Sequence, residues 1–176
     1  MRVIGGSLKG RVFAAPKGTV TKPMSEKMRG AVFSMLGDVQ GLSTLDAYCG
    51  SGAIAIEALS RGAVDIIALD SSHNAIRVLS ASLATLGIKD KIKPVHASIK
   101  SFVGSYHAKF DLIIADPPYD NINVNDLLSL IGMLKSSGLL ILSWPKREEF
   151  PKLNGSRIVK QKGFGDAKVG VYRLID

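Results

Sequence analysis

The chain has 176 residues and a net charge of +8, and this length is enough for one domain with a buried core. No apolar run approaches the roughly 20 residues of a membrane-spanning helix, and no signal peptide is visible, so the sequence predicts a cytoplasmic protein. The single cysteine, Cys49, excludes an internal disulfide, and the three scattered histidines lack metal-site spacing, so no metal is expected.

Residues 1–41 predict a short amino-terminal extension that packs on the main sheet. The stretches RVIGG and KGRVFAAP resemble two short strands punctuated by glycine. A helix is expected to begin near Ser25, whose side chain can cap the segment EKMRGAVFSML. In this helix Met28 and Val32 share an apolar face, whereas Arg29 is expected to point elsewhere.

From Ser43 onward, apolar runs of strand length alternate with stretches of helical period, a pattern typical of βα units around a parallel sheet. The final segments SRIVKQKGF and AKVGVYRLI, separated by GD, predict an antiparallel hairpin that closes the sheet. The sequence thus predicts an α/β domain over residues 42–176. Strands are predicted near 43–47, 65–69, 92–96, 110–115 and 138–143, and helices near 52–61, 72–86, 98–104 and 123–134.

A glycine-rich loop, within LDAYCGSGAIAIEALSRG, follows the first predicted strand and leads into a helix. Gly50 and Gly52 permit a tight turn and a close ligand approach, and the helix start supplies free N–H groups. Asp70 closes the next strand, where a carboxylate can accept both ribose hydroxyls of an adenosine. These features fit either NAD or S-adenosylmethionine, and Tyr48 and Ser71 are the neighbouring candidates for the same cofactor site.

Asp46 helps to separate the two cofactors. A carboxylate four residues before Gly50 suits an ammonium or a sulfonium better than a pyrophosphate, which favours S-adenosylmethionine. The alternative is that Asp46 only caps the turn through contacts with the backbone.

The stretch FDLIIADPPYDN ends its predicted strand in an acid, two prolines and an aromatic residue. If the substrate is an exocyclic amine on a nucleobase, Asp116 can accept one N–H and the carbonyl of Pro117 the other. Pro118 fixes the backbone, because proline locks φ and restricts the preceding residue. Tyr119 offers a face for stacking of a planar base. The sequence places this corner beside the glycine loop, where ligands bind in doubly wound sheets.

With these motifs in view, the sequence resembles the bacterial RsmD family, methyltransferases that act on the exocyclic N2 of a guanine in small-subunit ribosomal RNA. The similarity covers nearly the whole chain: RVIGGSLKGR, TKPMSEKMRGAVFSML, DAYCGSGAIAIEALSRGA and DLIIADPPY each match a family motif. The resemblance implies a Rossmann-like, class I S-adenosylmethionine-dependent fold. It also implies that Asp46, Gly50 and Gly52 bind the methyl donor, Asp70 binds its ribose, and residues 116–119 bind the target base.

The resemblance further implies an RNA-contacting amino-terminal segment and a ribosomal RNA partner, either as naked RNA or within an assembling small subunit. The family pattern is not fully kept, since Lys22, Met24 and Gly30 replace its usual arginine, threonine and glutamate. The acid expected after the third strand is also missing, which leaves Ser98 to meet the adenine edge. The predicted RNA contacts are Arg2, Lys9, Arg11, Lys22 and Arg29.

The distribution of charge agrees with a polyanionic partner. Residues 1–41 carry seven basic against two acidic side chains, and residues 144–176 carry eight against four. Between them, residues 42–143 carry eight against nine. Neutralised phosphates release counterions, and this release drives binding to basic surfaces of this kind. A solvated, mildly basic surface is the alternative interpretation.

Three further functions stay open at this level. An N6-adenine methyltransferase on DNA or RNA would use the same DPPY corner. A nicotinamide-dependent oxidoreductase is supported by the glycine pattern alone, and DPPY argues against it. A non-catalytic RNA-binding protein with a relic cofactor site is opposed by the intact Asp116 and glycine loop.

Overall fold

The computed structural model describes residues 1–15 and 24–175. The helices are α1 (Glu26–Leu36), α2 (Ala53–Ser60), α3 (His73–Leu86), α4 (Ile99–Ser105) and α5 (Val124–Ile131), with a 3₁₀ turn at Tyr119–Asn121. The strands are β1 (Ser43–Ala47), β2 (Val64–Asp70), β3 (Ile92–His96), β4 (Phe110–Ala115), β5 (Leu134–Pro145), β6 (Ser156–Phe164) and β7 (Ala167–Leu174).

These strands form one sheet in the order β3-β2-β1-β4-β5-β7-β6. All pairings from β3 to β5 are parallel, whereas β7 runs antiparallel to both β5 and β6. The predicted α/β class, the parallel sheet and the carboxyl-terminal hairpin are confirmed. The order of the strands reverses between β1 and β4, and such a reversal opens a crevice at the carboxyl ends of the strands.

Four of the five parallel strands, β1 to β4, keep close to their predicted limits, because turn or helix signals bound each of them. The main difference lies at β5, which begins at Leu134 instead of near residue 138. Phe110 pairs with Leu134, and this pairing extends β5 through the polar residues that follow Leu134. Helix α5 consequently ends at Ile131, three residues earlier than predicted.

In residues 1–15, the two short strands predicted at the amino terminus are reduced to a single antiparallel bridge, between Arg2 and Val12. Gly6 has a positive φ of 76°, and a Cβ there would lie 1.7 Å from the carbonyl oxygen of Ser60. The chain therefore bends tightly against the end of α2 and cannot extend. Ser25 caps α1 as predicted, because its hydroxyl accepts a hydrogen bond from the N–H of Met28.

A buried carboxylate, Glu57 on α2, joins the amino-terminal segment to the sheet. Its oxygens accept hydrogen bonds from the N–H groups of Ile4 and Gly5 at 2.8 and 2.9 Å. Arg61 donates to Glu57 at 2.8 Å, and Nε of Arg29 lies 3.6 Å from the carboxylate, close enough for an ion pair but too far for a hydrogen bond. Arg29 also donates to the carbonyl of Arg2.

The sequence-based expectation that Arg29 points away from the core and contacts RNA is wrong. Its side chain is 0% exposed, and Glu57 beside it is equally buried. Burial lowers the pKa of the Arg29 guanidinium, and the Glu57 carboxylate opposes this shift. No phosphate can reach this guanidinium, so Arg29 acts in packing.

The amino-terminal extension shares a hydrophobic core with one face of the sheet. Val3, Phe13 and Phe33 belong to the same buried cluster as Ile54 of α2 and Ile114 of β4. A second cluster covers the other face beneath α4 and α5. Among the helices in residues 1–15 and 24–175, none has the length and apolarity to cross a membrane.

Candidate active site

A cavity of about 710 Å³ opens at the carboxyl ends of β1 and β4, in the crevice where the strand order reverses. A larger depression, of about 980 Å³, lies at the opposite end of β2 and β3 and contains none of the predicted catalytic residues. The smaller cavity has four walls: the start of α1, the glycine loop, the DPPY corner with Ser143, and the turn of the β6–β7 hairpin. Its lining residues are 24–25, 27–28, 48–51, 53–54, 116–120, 143 and 164–167.

The two loop glycines have different roles. Gly50 has a φ of 51°, and a Cβ there would meet nothing within 4 Å, so its backbone lies open for a ligand to approach. Gly52 has a φ of 74°, and a Cβ there would lie 2.2 Å from Cδ1 of Leu79 on α3. Gly52 is thus needed for packing of α2 against α3, and only Gly50 lines the cavity.

Tyr48 precedes these glycines with a φ of 63°, a conformation that costs a tyrosine free energy. Its side chain is half-buried and lines the cavity. Burial raises the pKa of its phenol, and Asp126 of α5 adds to the shift. Strain of this kind clusters at functional sites, and the placement agrees with the predicted role of Tyr48 at the cofactor.

Asp46 lies behind the cavity and is 0% exposed. Its Oδ2 accepts a hydrogen bond from the N–H of Ala55 at 2.9 Å, so the backbone contact considered for Asp46 exists. Its Oδ1 is buried without a hydrogen-bond partner. Burial raises the pKa of Asp46 well above its ordinary value, and the carboxylates of Asp116 and Asp70 raise it further.

These carboxylates fit the predicted cofactor. Three acids close enough to perturb one another create a negative potential, which a cationic ligand would relieve and a pyrophosphate would worsen. The unpartnered Oδ1 of Asp46 is an acceptor that lacks a donor. Cys49 is buried in the same loop, and burial together with Asp46 and Asp70 raises the pKa of its thiol, which leaves it a poor nucleophile.

Asp70 is attached to the glycine loop but does not line the cavity. Its Oδ2 accepts from the N–H of Gly50 at 2.8 Å, and its Oδ1 accepts from the N–H of Ser72 at 2.8 Å. Ser71 lies beside His96, whose Nε2 is 3.0 Å from the Ser71 carbonyl oxygen. The hydroxyl of Ser98 caps α4 by accepting from the N–H of Ser101. These three predicted cofactor residues therefore lie along the ends of β2 and β3.

The DPPY corner lines the cavity opposite the glycine loop. Pro117 is buried, Asp116 is half-buried, and Tyr119 is 37% exposed, so its ring is available at the cavity mouth. The hydroxyls of Tyr119 and Ser143 share a hydrogen bond of 2.6 Å. Burial raises the pKa of Asp116, and a hydrogen bond from Ser143 opposes the shift. Although Asp116 as a residue is partly exposed, its carboxyl group is thus largely desolvated.

Sequence reasoning missed Ser143. The residue is buried on β5, and it contacts both the predicted acid and the predicted stacking ring. The only signal in the sequence is a serine within the otherwise apolar run LLILSW. Because Ala115 pairs with Leu142, the next residues on β4 and β5 are Asp116 and Ser143, and sheet register alone brings them together.

Replacement of Ser143 by alanine is expected to move the pH dependence of the enzyme. Without the hydroxyl, the pKa of Asp116 rises further above its ordinary value, so the carboxylate is lost at a higher pH. The acidic limb of the profile of kcat against pH should shift upward relative to wild type. Tyr119→Phe is the matched control, because it removes the other partner of Ser143 and leaves the bond to Asp116. If the acidic limb of the Ser143→Ala profile does not shift, the Ser143 hydroxyl does not affect the pKa of Asp116.

The predicted RNA contacts are dispersed. Arg2 forms an exposed ion pair with Glu26 at 2.9 Å. Nη1 of Arg11 donates to the carbonyl of Leu86, at the end of α3, and Lys9 is exposed on the same segment. Because α3 ends near the amino end of β3, Lys9 and Arg11 lie at the opposite end of the sheet from the cavity. Lys22 falls outside the described residues.

The chain matches a known protein family over almost its whole length. A family model described as "Conserved hypothetical protein 95" matches residues 1–173. The "Putative rRNA methyltransferase YlbH" of Bacillus subtilis is 34% identical over 98% of each chain. The "Ribosomal RNA small subunit methyltransferase D" of Escherichia coli is 27% identical, over 80% of this chain and 72% of the relative.

Solved structures agree on the fold. The "Putative methyltransferase yhhF from Escherichia coli" superposes with a TM-score of 0.85 at 24% identity, over 99% of this chain and 97% of that one. A "conserved hypothetical protein" of Streptococcus pyogenes superposes with a TM-score of 0.75 at 26% identity, over 82% and 93%. The fold is that of the Rossmann-like class I methyltransferases, as predicted. Family model, relatives and fold together show that this chain belongs to the RsmD family of methyltransferases.

Proposed function

We propose that this protein transfers a methyl group from S-adenosylmethionine to the exocyclic N2 of a guanine in small-subunit ribosomal RNA. One observation carries the proposal: the glycine loop and the DPPY corner line the same cavity. The name of the relative in Bacillus subtilis supports ribosomal RNA as the substrate, and the name of the relative in Escherichia coli supports the RNA of the small subunit.

The donor would be held by the glycine-loop side of the cavity. Gly50 offers open backbone and Asp70 offers carboxylate lone pairs to ribose hydroxyls, whereas Asp46, buried behind the cavity, would act on the cofactor through its negative potential. Tyr48 would contact the same ligand from the cavity wall. S-adenosylmethionine supplies a methyl group on a positively charged sulfur, which makes the methyl carbon open to attack by a nitrogen lone pair.

The target amine would be held by the opposite wall. The lone pair of an exocyclic amine is delocalised into the base, so its nitrogen must be oriented and its protons must be accepted. Asp116 and the carbonyl of Pro117 would accept the two N–H groups, and Tyr119 would stack on the base. A nitrogen fixed in line with the methyl carbon gains most of its rate from proximity and orientation.

The proton balance also involves Asp116. As the new nitrogen–carbon bond forms and the carbon–sulfur bond breaks, the amine must lose one proton. Burial raises the pKa of Asp116, so this carboxylate accepts a proton more readily than an exposed aspartate would. A base inside structured RNA must first leave its stack, at a cost of a few kcal/mol, which contacts to phosphates would offset.

Analysis of methylated nucleosides tests this function. The protein is incubated with S-adenosylmethionine and small-subunit ribosomal RNA, either as a transcript or within subunits from a deletion strain, and the digested RNA is analysed by mass spectrometry. N2-methylguanosine should appear in the wild-type reaction and be absent with Asp116→Ala. Formation of N6-methyladenosine alone would replace the proposal with an adenine-specific function, since the DPPY corner suits either planar amine.

A further inference from the structure

We propose that a basic surface on the carboxyl-terminal hairpin holds the backbone of the RNA strand that flanks the target base. This hairpin surface is defined by Lys27 of α1 and by Lys160, Lys162 and Phe164 of β6. The inference rests on the proposed function, because it names the part of the protein that would bind the same substrate outside the cavity.

Strand β6 has the exposure and the charge that such a surface needs. Among the described residues, it is the last strand of the sheet and pairs with β7 alone. Residues 157–163 are all exposed, and the strand SRIVKQKGF carries three basic side chains and no acid. An extended, exposed and basic strand can follow a nucleic-acid backbone, as basic grooves do in proteins that bind single strands.

The hairpin surface continues directly into the cavity. Phe164 and the turn residues after it line the cavity wall, and so does Lys27. Nζ of Lys162 lies 5.8 Å from the centre of the Phe164 ring. Further along the strand, Lys160 donates from Nζ to the carbonyl of Met35 at 2.9 Å, which ties β6 to the end of α1. The lysines thus follow a line that starts at the cavity mouth.

The signs of the charges divide the site into two parts. The cavity itself is lined by Asp116, Asp120 and Asp166, which would repel a phosphate and accept N–H groups from a base edge. In residues 1–15 and 24–175, no carboxylate lies within 4.0 Å of the amino groups of Lys27, Lys160 or Lys162. Their charges remain available to phosphates.

The position of this surface also fits the reach of an RNA strand better than the positions of Lys9 and Arg11 do. When the target base occupies the cavity, the phosphates of the adjacent one or two nucleotides lie near the cavity mouth. Lys9 and Arg11 lie at the other end of the sheet, and the five residues of β1 alone span about 17 Å. Contacts at that end would need a distant part of the RNA.

Lysines on an edge strand have another known use, since they hinder pairing of the edge with other chains. That role requires only charge on β6 and predicts no effect on RNA affinity. The two interpretations differ in what loss of the lysines does to RNA binding and its salt dependence.

The experiment compares RNA binding by the full-length double variant Lys160→Gln/Lys162→Gln with that of the wild type. The probe is a transcript of small-subunit ribosomal RNA, titrated at several salt concentrations. We expect about tenfold weaker binding at 0.1 M salt, and a salt slope reduced by about one for each lysine. Methyl transfer at saturating RNA should keep its kcat and show a raised KM.

The matched control is Lys89→Gln/Lys91→Gln, which removes the same charge at the opposite end of the sheet. It should keep the wild-type affinity and slope. If both double variants lose RNA affinity equally, the effect is one of net charge and the inference is wrong. If the salt slope of Lys160→Gln/Lys162→Gln is unchanged, these lysines only protect the edge of the sheet, and the inference is again wrong. If the wild type makes no N2-methylguanosine, the proposed function fails, while the binding comparison still decides the docking surface.

Discussion

The Asp116→Ala variant is expected to lose kcat for methyl transfer by about 10²–10⁴-fold, with affinity for S-adenosylmethionine nearly unchanged. Asp116 lies on the cavity wall opposite Gly50, where it would hold the amine and take its proton. The measurement is single-turnover transfer with saturating RNA, together with equilibrium binding of the cofactor.

Asp70→Ala is the matched control for this prediction, because it removes the same group from the other side of the site. Its loss should mainly weaken binding of the cofactor, since Asp70 accepts a hydrogen bond from the N–H of Gly50 and is the predicted ribose acceptor. Asp116→Asn separates two roles, because an amide oxygen can still accept an N–H but cannot take the proton. Equal loss of cofactor affinity in Asp70→Ala and Asp116→Ala would show that Asp116 belongs to the donor site.

The Glu57→Gln variant is expected to lose about 3–5 kcal/mol of the free energy of unfolding. The substitution removes the only carboxylate paired with Arg29 among the described residues and leaves a guanidinium buried without compensation. It also weakens the carboxylate contacts with the N–H groups of Ile4 and Gly5. Urea denaturation of the wild type and the variant would measure the difference.

Arg2→Gln is the control for this second prediction. It breaks an ion pair between Arg2 and Glu26 whose side chains are 62% and 44% exposed, and such pairs contribute about 0–1 kcal/mol. If Glu57→Gln lowers the free energy of unfolding as little as Arg2→Gln does, the Arg29–Glu57 pair does not hold the amino-terminal segment on the sheet. Selective exposure of residues 1–15 to proteolysis in Glu57→Gln would instead support that role.

Patterns that depend on neighbouring residues were correctly interpreted from the sequence. The limits of β1, β3 and β4 coincide with the predicted ranges, because each is a segment of strand length between turn or helix signals. The meeting of the glycine loop with the DPPY corner was also predicted, because strands one and four are neighbours in the methyltransferase version of the doubly wound fold.

The errors arose where distant residues decide the outcome. Arg29 has a charged side chain on a predicted surface helix. Its burial depends on Glu57, 28 residues later, whose carboxylate compensates the buried positive charge. Gly52 satisfies a ligand-binding pattern, which stays a prediction, and Leu79 of α3 adds a packing requirement that the pattern does not reveal. In both places a contact across the core supplies information that the local sequence lacks.

By itself, the sequence determined the α/β fold, because periodicity and turn chemistry are local properties. Its motifs also carried the resemblance to the family and identified two walls of the candidate site. Only the tertiary structure showed that Ser143 lies beside Asp116 and shares a hydrogen bond with Tyr119. It also showed that Arg29 is buried and that the hairpin turn lines the cavity. Sheet register and burial are set by pairings between remote segments, and a single sequence contains no local signal for them.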